Sequence, residues 1–434
     1  MDPGPSRPGN RLNPPSRCGC AAPGCFFETI KTFYDMNKKS ITDIEVKGKK
    51  VLMRVDFNVP ILEDGNVGDD TRIVAALPTI QYVLEQGGSL ILMSHLGRPK
   101  GQVKPEYTLK PVAAALAVKL GQDVVFASDC VGEDAQSKAA ALEPGQVLLL
   151  ENLRFYPEEE GKGVEAEAQE AFAKSLAALG DVYVNDAFGT AHRAHASMAV
   201  VTKYIEDCAA GFLLDKEINY LVGALENPEQ PFVAIMGGAK VSDKIQVIKS
   251  LLPKVDKLII GGGMAYVFYK VQGLAIGDSL CKDEDIPLAK ELLEAGGDKI
   301  VLPLDNIIAD DFSGDANTQI AKAGEIPDGW EGLDIGPESA KQFAAIIAEA
   351  KTVVWNGPMG CFDLHEKFAG GTNAVGQALA DSDCISIIGG GDSVAALNQA
   401  GLGSQITHMS TGGGASLELL GGEQLPGLLA LSDK

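Results

Sequence analysis

The sequence predicts an α/β protein made of two doubly wound, mostly parallel-sheet (Rossmann-like) lobes joined by a connecting helix. Three observations lead there. From Ser40 onward, short apolar runs alternate with Ala- and Leu-rich stretches of helical spacing, the pattern of strand–helix units around a parallel sheet. The alternation falls into two series, separated by residues 212–225, whose helical spacing stops at Asn227-Pro228. The chemistry at the strand ends also changes between the series, from arginine in the first to glycine in the second.

Bulk properties limit the function. A chain of 434 residues can form two or three domains, each with its own core. Lys and Arg number 37 against 59 Asp and Glu, a net charge of −22. Such a surface repels phosphate backbones and anionic headgroups, which argues against nucleic acid or membrane as a partner. No apolar run approaches the ~20 residues of a membrane span. Any basic cluster is therefore local. Cys130, Cys208, Cys281, Cys361 and Cys384 are scattered singly, as expected of reduced thiols. Cys18, Cys20 and Cys25 cluster near the start, but without CxxC pairs or a nearby histidine, which argues against zinc. Residues 1–35 are rich in Pro, Gly and Arg, lack periodicity, and read as a disordered extension. Arg7, Arg11 and Arg17 make it compatible with a targeting segment, although it has no secretory apolar core, and Met36 offers an internal start.

The first series begins with a strand at residues 50–55 that runs into Asp56-Phe57-Asn58-Val59-Pro60. A turn-rich loop leads to a helix from Thr71-Arg72 to Leu84. A strand at 89–93 delivers Ser94-His95-Leu96-Gly97-Arg98, and a helix spans 109–120. A strand at 147–150 delivers Glu151-Asn152-Leu153-Arg154. After a helix at 165–179, a strand at 181–184 runs into a segment carrying His192, Arg193 and His195. Ligands of doubly wound sheets collect beyond the carboxyl ends of the strands. There this series places Arg54, Arg98, Arg154 and Arg193, with Arg72 at a helix start. One such arginine is usually a solvated charge. Five in corresponding places describe a site for a small polyanion, since the guanidinium fork suits carboxylate and phosphate.

The second series opens with the apolar run 232–236, then Gly237-Gly238, then a polar stretch expected to be helical, with Lys240 and Lys244 one turn apart on one face. Such a junction is either a tight turn or a phosphate site. It is neither a P-loop nor a GxGxxG fingerprint. Strands at 258–260, 352–355, 384–388 and 406–409 then run into Gly261-Gly262-Gly263, Asn356-Gly357-Pro358, Gly389-Gly390-Gly391-Asp392-Ser393 and Gly412-Gly413-Gly414. Repeated at successive strand ends, glycine and helix starts point to a nucleotide. Asp392 is placed like a magnesium ligand sharing the ion with phosphates.

No GxSxG elbow or HExxH motif is present, and no cysteine sits at an electropositive helix start. His192 and His195 flank Arg193, which would repel a metal ion. His95 is a candidate base, though beside Arg98 it better suits an anion. His365 and His408 carry no motif and read as structural. Without a nucleophile, direct phosphoryl transfer fits best, because it requires positioning and charge neutralisation and no covalent help. Closure of the lobes would keep water from the nucleotide.

Eight motifs, at residues 54–60, 94–99, 151–155, 186–197, 237–244, 355–360, 389–393 and 410–420, together resemble the phosphoglycerate kinase family, in order from about Ser40 to the C-terminus. The resemblance implies reversible phosphoryl transfer between 1,3-bisphosphoglycerate with ADP and 3-phosphoglycerate with ATP, with Mg²⁺ as cofactor. It implies phosphoglycerate contacts from Asp56, Phe57, Asn58, Arg72, His95, Leu96, Gly97, Arg98, Arg154 and Arg193. Nucleotide contacts would come from Gly237, Gly238, Lys244, Gly332, Asn356, Pro358, Asp363, Gly390, Gly391, Asp392 and Ser393, with Asp392 toward the metal. Arg72, Lys240, Lys244, Gly391 and Gly414 would serve the transferring group. The implied organisation is a phosphoglycerate lobe (36–206), a connecting helix (207–226), a nucleotide lobe (227–415) and a C-terminal segment (416–434) returning to the first lobe. A cytoplasmic monomer is expected, or a plastid protein if the extension is a transit peptide. Asp363 stands where the family usually has glutamate, one methylene longer, and Leu364-His365 lengthens that loop. Ser393 replaces a common threonine and keeps the hydroxyl.

Overall fold

The structure, a computed structural model, describes Met1 and residues 37–434. The extension read as disordered, with Cys18, Cys20 and Cys25, lies outside the described residues. Among the described residues no helix is long and apolar enough to cross a membrane.

The first series folds around six parallel strands: β1 (Lys50–Arg54), β2 (Ser89–Met93), β3 (Val124–Phe126), β4 (Val147–Leu149), β5 (Val182–Asn185) and β6 (Cys208–Ala210), in the order β3-β4-β2-β1-β5-β6. The second series builds a like sheet from β7 (Phe232–Met236), β8 (Lys257–Ile260), and, after the small strand β9 (Ala275–Ile276), β10 (Ile300–Val301). It then adds a flap of β11 (Asp305–Ala309), β12 (Thr318–Lys322) and β14 (Glu331–Ile335), with β13 (Glu325–Ile326) pairing β9, and closes with β15 (Thr352–Asn356), β16 (Ile385–Gly389) and β17 (His408–Met409). Its order is β10-β8-β7-β15-β16-β17. Parallel strands covered by helices on both faces need unbroken apolar runs. β2, β7 and β15 accordingly bury every residue.

This order explains where the motifs meet. From β1 the chain moves one way to β2, while β5 pairs on β1's other side. β7 likewise lies between β8 and β15. The loops after β1 and β5, and those after β7 and β15, therefore diverge around a crevice, the switch point where ligands of such sheets bind.

The connecting helix runs Phe212–Glu226. Residues 208–210, expected in the helix, instead form β6 and complete the first sheet. The start is set by Asp186, beyond β5, whose Oδ1 accepts from Leu213 N at 2.9 Å and Leu214 N at 3.1 Å, capping the helix from a distant element. A side chain at Gly211 would strike that carboxylate at 2.3 Å. The end of the chain lies along the first sheet: Gly427 N donates to Ala191 O (2.8 Å), Ser432 N to Cys208 O (2.9 Å) and Lys434 N to Asn37 O (2.7 Å). The antiparallel flap β12-β11-β14 carries no run that the sequence marks as a strand. β12 is mostly exposed, so its residues follow no apolar pattern.

Burial pushes the Asp186 carboxyl up to about 7, against the opposing hydrogen bonds from Thr79, Leu214 and Leu213. The folded protein therefore binds this proton between about pH 4 and 7 while the unfolded chain has released it, so the group stabilises most in acid and its contribution is lost as pH rises through 7. Asp186→Asn should remove that slope. The gain in unfolding free energy of the native protein between about pH 7.5 and 5 should shrink by on the order of 2 kcal/mol, read from denaturant midpoints.

Candidate active site

In the first lobe a cleft of about 610 Å³ is lined by Arg98, Lys100, Arg154, Lys162 and Arg193, with His192, His195, Ala194 and Glu160. Five cations against one carboxylate make a local basic basin on an acidic protein. The loops that hold it are bound to one another. Asn58 Oδ1 accepts from Gly97 N (2.8 Å), and Arg154 Nη1 donates to Gly97 O (2.8 Å). Arg154 Nε stands 3.1 Å from Glu160. Arg72 Nη1 bridges Asn58 O (3.2 Å) and Asp56 Oδ1 (3.1 Å) at the neighbouring rim. Behind these loops Asn152 ties β4 to β2, with Oδ1 accepting from Leu96 N and Nδ2 donating to Leu96 O.

Three expected residues take other places. The Phe57 and Leu96 side chains lie in the core, so only their backbone can face a ligand. Arg54 is 0 % exposed and lies behind the cleft, donating from Nε to Ser197 Oγ (2.9 Å) and from Nη2 to His95 Nδ1 (3.2 Å). Its partner is Glu159, also fully buried, which accepts from Ser197 N and Oγ. Burial pushes the Glu159 carboxyl up, but the His195 ring and the Arg54 charge outweigh it, and the net shift is downward. Ser197 closes the 186–197 motif, whereas Glu159 lies in none of the eight; it belongs to the acidic run Glu158-Glu159-Glu160, and only the fold turns it inward. Burial, and then Arg193, hold His192 down at about 4, so it is neutral at pH 7, with Nε2 accepting from Arg193 Nε at 3.1 Å.

In the second lobe the loops after β7, β8 and β15 pack backbone to backbone. Gly238 N donates to Pro358 O, Gly262 N to Met359 O and Met264 N to Gly238 O. Residues 239–244, expected to be helical, form an irregular bend that ends in a turn at 242–244; the helix begins at Ile245. Val241 is fully buried and Ser242 N is held by Asp285 Oδ1 at 3.1 Å, which bends this segment out of helical register. Lys240 and Lys244 thus share a loop rather than a helix face. Lys244 Nζ donates to Asn356 Oδ1 (2.8 Å), and burial lowers its pKa despite Asp243 and Asp392. Lys240 has no hydrogen-bond or ion-pair partner among the described residues.

The helices Gly391–Gln399 and Gly413–Leu420 start side by side; a side chain at Gly413 would come within 3.2 Å of Gly391 N. Two helix N-termini, each with free N–H groups and partial positive charge, thus adjoin one another, an arrangement suited to an anion. Asp392 is exposed in the first turn. The Ser393 hydroxyl is buried and accepts from Gly357 N (2.7 Å), so a ligand can meet only its backbone. Gly332 lies in β14, facing Tyr266, and Asp363 is exposed beside Cys361. These two stand on the flap side, apart from the helix starts.

The lobes meet here. Gly412 packs on Gly189, and a side chain at Gly414 would touch the His192 ring at 3.4 Å. A basic cleft beside paired helix starts, on two doubly wound lobes, defines a phosphotransferase. The phosphoglycerate kinase family model matches residues 41–423. The chain is 54 % identical over 404 residues to phosphoglycerate kinase of Chlorobium phaeobacteroides (strain BS1), covering 92 % of this chain and all of that one. It is 55 % identical over 400 residues to the cytosolic phosphoglycerate kinase of Triticum aestivum, covering 91 % and 98 %. The solved structure of phosphoglycerate kinase from Coxiella burnetii superposes with a TM-score of 0.81 at 42 % identity, over 91 % of this chain and 98 % of that one. The chain belongs to the phosphoglycerate kinase family, and its activity is that of the glycolytic and Calvin-cycle kinase.

A methyl group at Gly237 would lie 2.1 Å from Pro358 O and 2.4 Å from Gly357 O, both backbone atoms. Gly237→Ala should therefore push the β7 and β15 loops apart. The expected result is a loss of several kcal/mol of stability or of a single folded state, read as a drop in Tm and in bound nucleotide.

Proposed function

We propose that the first-lobe cleft holds the phosphoglycerate and the second-lobe helix starts hold the nucleotide phosphates, with in-line transfer between them once the lobes close. The observation that carries this is the juxtaposition of His192 with the start of the helix at Gly413–Leu420. Donor and acceptor sites of opposite design share one border. Arg98, Arg154 and Arg193 bind the anionic ends of the phosphoglycerate, while Asp56, Asn58 and His95 orient it. Arg72, now paired with Asp56, exchanges that partner for the transferring group. Lys240, without a partner, does the same from the nucleotide side, while Lys244, Gly391 and Gly414 complete the charge cradle. Gly237, Gly238, Gly332, Asn356, Pro358 and Asp363 shape the base and sugar end.

Mg²⁺ fits this arrangement as a partner of the nucleotide. Among the described residues no three His, Cys, Asp or Glu side chains gather as a cation site, whereas Asp392 offers a single carboxylate free of ion pairs at the helix start. One carboxylate plus substrate phosphates is the usual magnesium environment. When bound, the ion supplies charge neutralisation of the phosphates. The chain's own groups do the rest: N–H dipoles and ammonium groups stabilise the transferring charge, and closure excludes water. We read the enzyme as a cytoplasmic monomer that requires no second copy to complete its site.

Purified protein should turn over 3-phosphoglycerate with MgATP in a coupled assay, and absence of turnover overturns the proposal. Arg72→Ala should lower kcat by on the order of 10²-fold, about 3 kcal/mol, with nucleotide affinity little changed. A change confined to nucleotide affinity would reverse the assignment of the lobes. Asp392→Asn should raise the Mg²⁺ concentration needed for half-maximal rate while leaving phosphoglycerate binding, measured by calorimetry, unaltered.

A further inference from the structure

The group buried behind the first-lobe cleft has a chemical consequence for His95. A guanidinium has only donors. Arg54 Nη2 stands 3.2 Å from His95 Nδ1, so that nitrogen must present its lone pair, and the proton of a neutral ring must sit on Nε2. The competing acceptor, Asp56 Oδ1, is 3.8 Å from Nδ1, beyond hydrogen-bond reach, and is engaged by Arg72 at 3.1 Å. We propose that Arg54 is a positioning residue that holds His95 as its neutral Nε2–H tautomer, so that His95 meets the phosphoglycerate as a hydrogen-bond donor across the working pH range. The proposal rests on the assignment of the first-lobe cleft to phosphoglycerate.

Arg54 is suited to this because it cannot turn away. It is wholly buried, with Nε on Ser197 Oγ (2.9 Å) and Nη1 on its neighbour's carbonyl, Val55 O. Ser197 Oγ in turn donates a hydrogen bond to Glu159 Oε1 (2.7 Å), and Glu159 Oε2 accepts from Ser197 N (3.0 Å). Glu159 Oε1 lies 4.0 Å from Arg54 Nη2 and balances its charge. All the groups that face the ring act together. Asp56, 3.8 Å from the ring, favours a charged imidazole. Burial opposes it most, followed by Arg54, Arg154, His195 and Arg72, and the pKa of His95 is held well below 6.5. A neutral, fixed donor keeps the charge of the cleft constant as pH changes, where an imidazolium would not.

The test is NMR of the full chain labelled with ¹⁵N-histidine. Five histidines make the ring signals separable, and loss of one set in His95→Gln assigns His95. The expected spectrum shows a bare Nδ1 and a protonated Nε2 from about pH 5 to 8. A native His95 that carries its proton on Nδ1, or titrates in that range, overturns the proposal without any variant. In Arg54→Met the ring should titrate or shift its proton to Nδ1, and KM for 3-phosphoglycerate should rise on the order of tenfold and become pH-dependent. Arg54→Lys, which keeps a charged donor, should restore the tautomer and part of the affinity. A folded Arg54→Met protein with an unchanged His95 spectrum also overturns it. Native protein that lacks kinase activity yet shows the fixed tautomer supports the positioning device and overturns the assignment of substrate.

Discussion

The carboxylate of Glu217 joins the two halves of this molecule. It is fully buried in the connecting helix. It accepts from His408 Nε2 (2.8 Å) in β17, and from Thr411 N (2.7 Å) and Oγ1 (2.8 Å) at the approach to the last glycine cluster. A buried carboxylate is tolerated only when its oxygens are satisfied, and removing one partner leaves a costly charge behind. The helix, the edge strand and the glycine turn are therefore held as one piece. Tyr220, one turn along, stacks on the His408 ring at 4.6 Å, which fixes the imidazole plane. The helix start at Gly413 is thus placed by the connecting helix from one side and by Phe188 and Gly189 of the first lobe from the other. His408 reads as structural from the sequence, and it is; what it structures is the junction.

The same economy governs charge. A chain of net charge −22 makes a local anion site by gathering five cations in one cleft, and buried acids brace the loops behind it. Glu151 accepts from Thr108 Oγ1 and Leu109 N, Glu159 from Ser197, and Asp186 from the connecting helix. None of these carboxylates reaches the cleft, yet each fixes a loop that does. The second lobe contains no arginine. It relies on N–H groups at helix starts, which attract an anion without long side chains that would need ordering. The glycine clusters serve that end indirectly: at Gly237 and Gly262 they let three loops approach backbone to backbone.

Much of this was legible in one dimension because a parallel sheet writes a strong code. Strands buried on both faces are apolar runs, helices repeat every turn, and each strand end must deliver its polar residues to the same edge. The fold class, the two lobes, and the arginine and glycine loops follow from local pattern alone. Where the pattern weakens, reading failed for identifiable reasons. β6 is a small-residue strand that looks like the approach to a helix, and the start of that helix depends on Asp186, distant in sequence. In the antiparallel flap β12-β11-β14, β12 is too exposed to alternate clearly, and β11 and β14 mix buried polar with apolar residues. The bend at 239–244 has helical spacing, but the buried Val241 and the hold of Asp285 on Ser242 override it.

By itself, then, the sequence determined which chemical groups stand at which strand ends, since alternation and spacing are local properties of the chain. Tertiary structure alone decided which of those groups face the cleft and which stand behind it. Arg54 and Arg154 look equivalent in sequence, each at the end of a first-lobe strand; one is enclosed with Glu159 and Ser197, and the other lines the basin. That choice depends on strand order and on an acid more than a hundred residues from Arg54, a long-range pairing that no local pattern encodes.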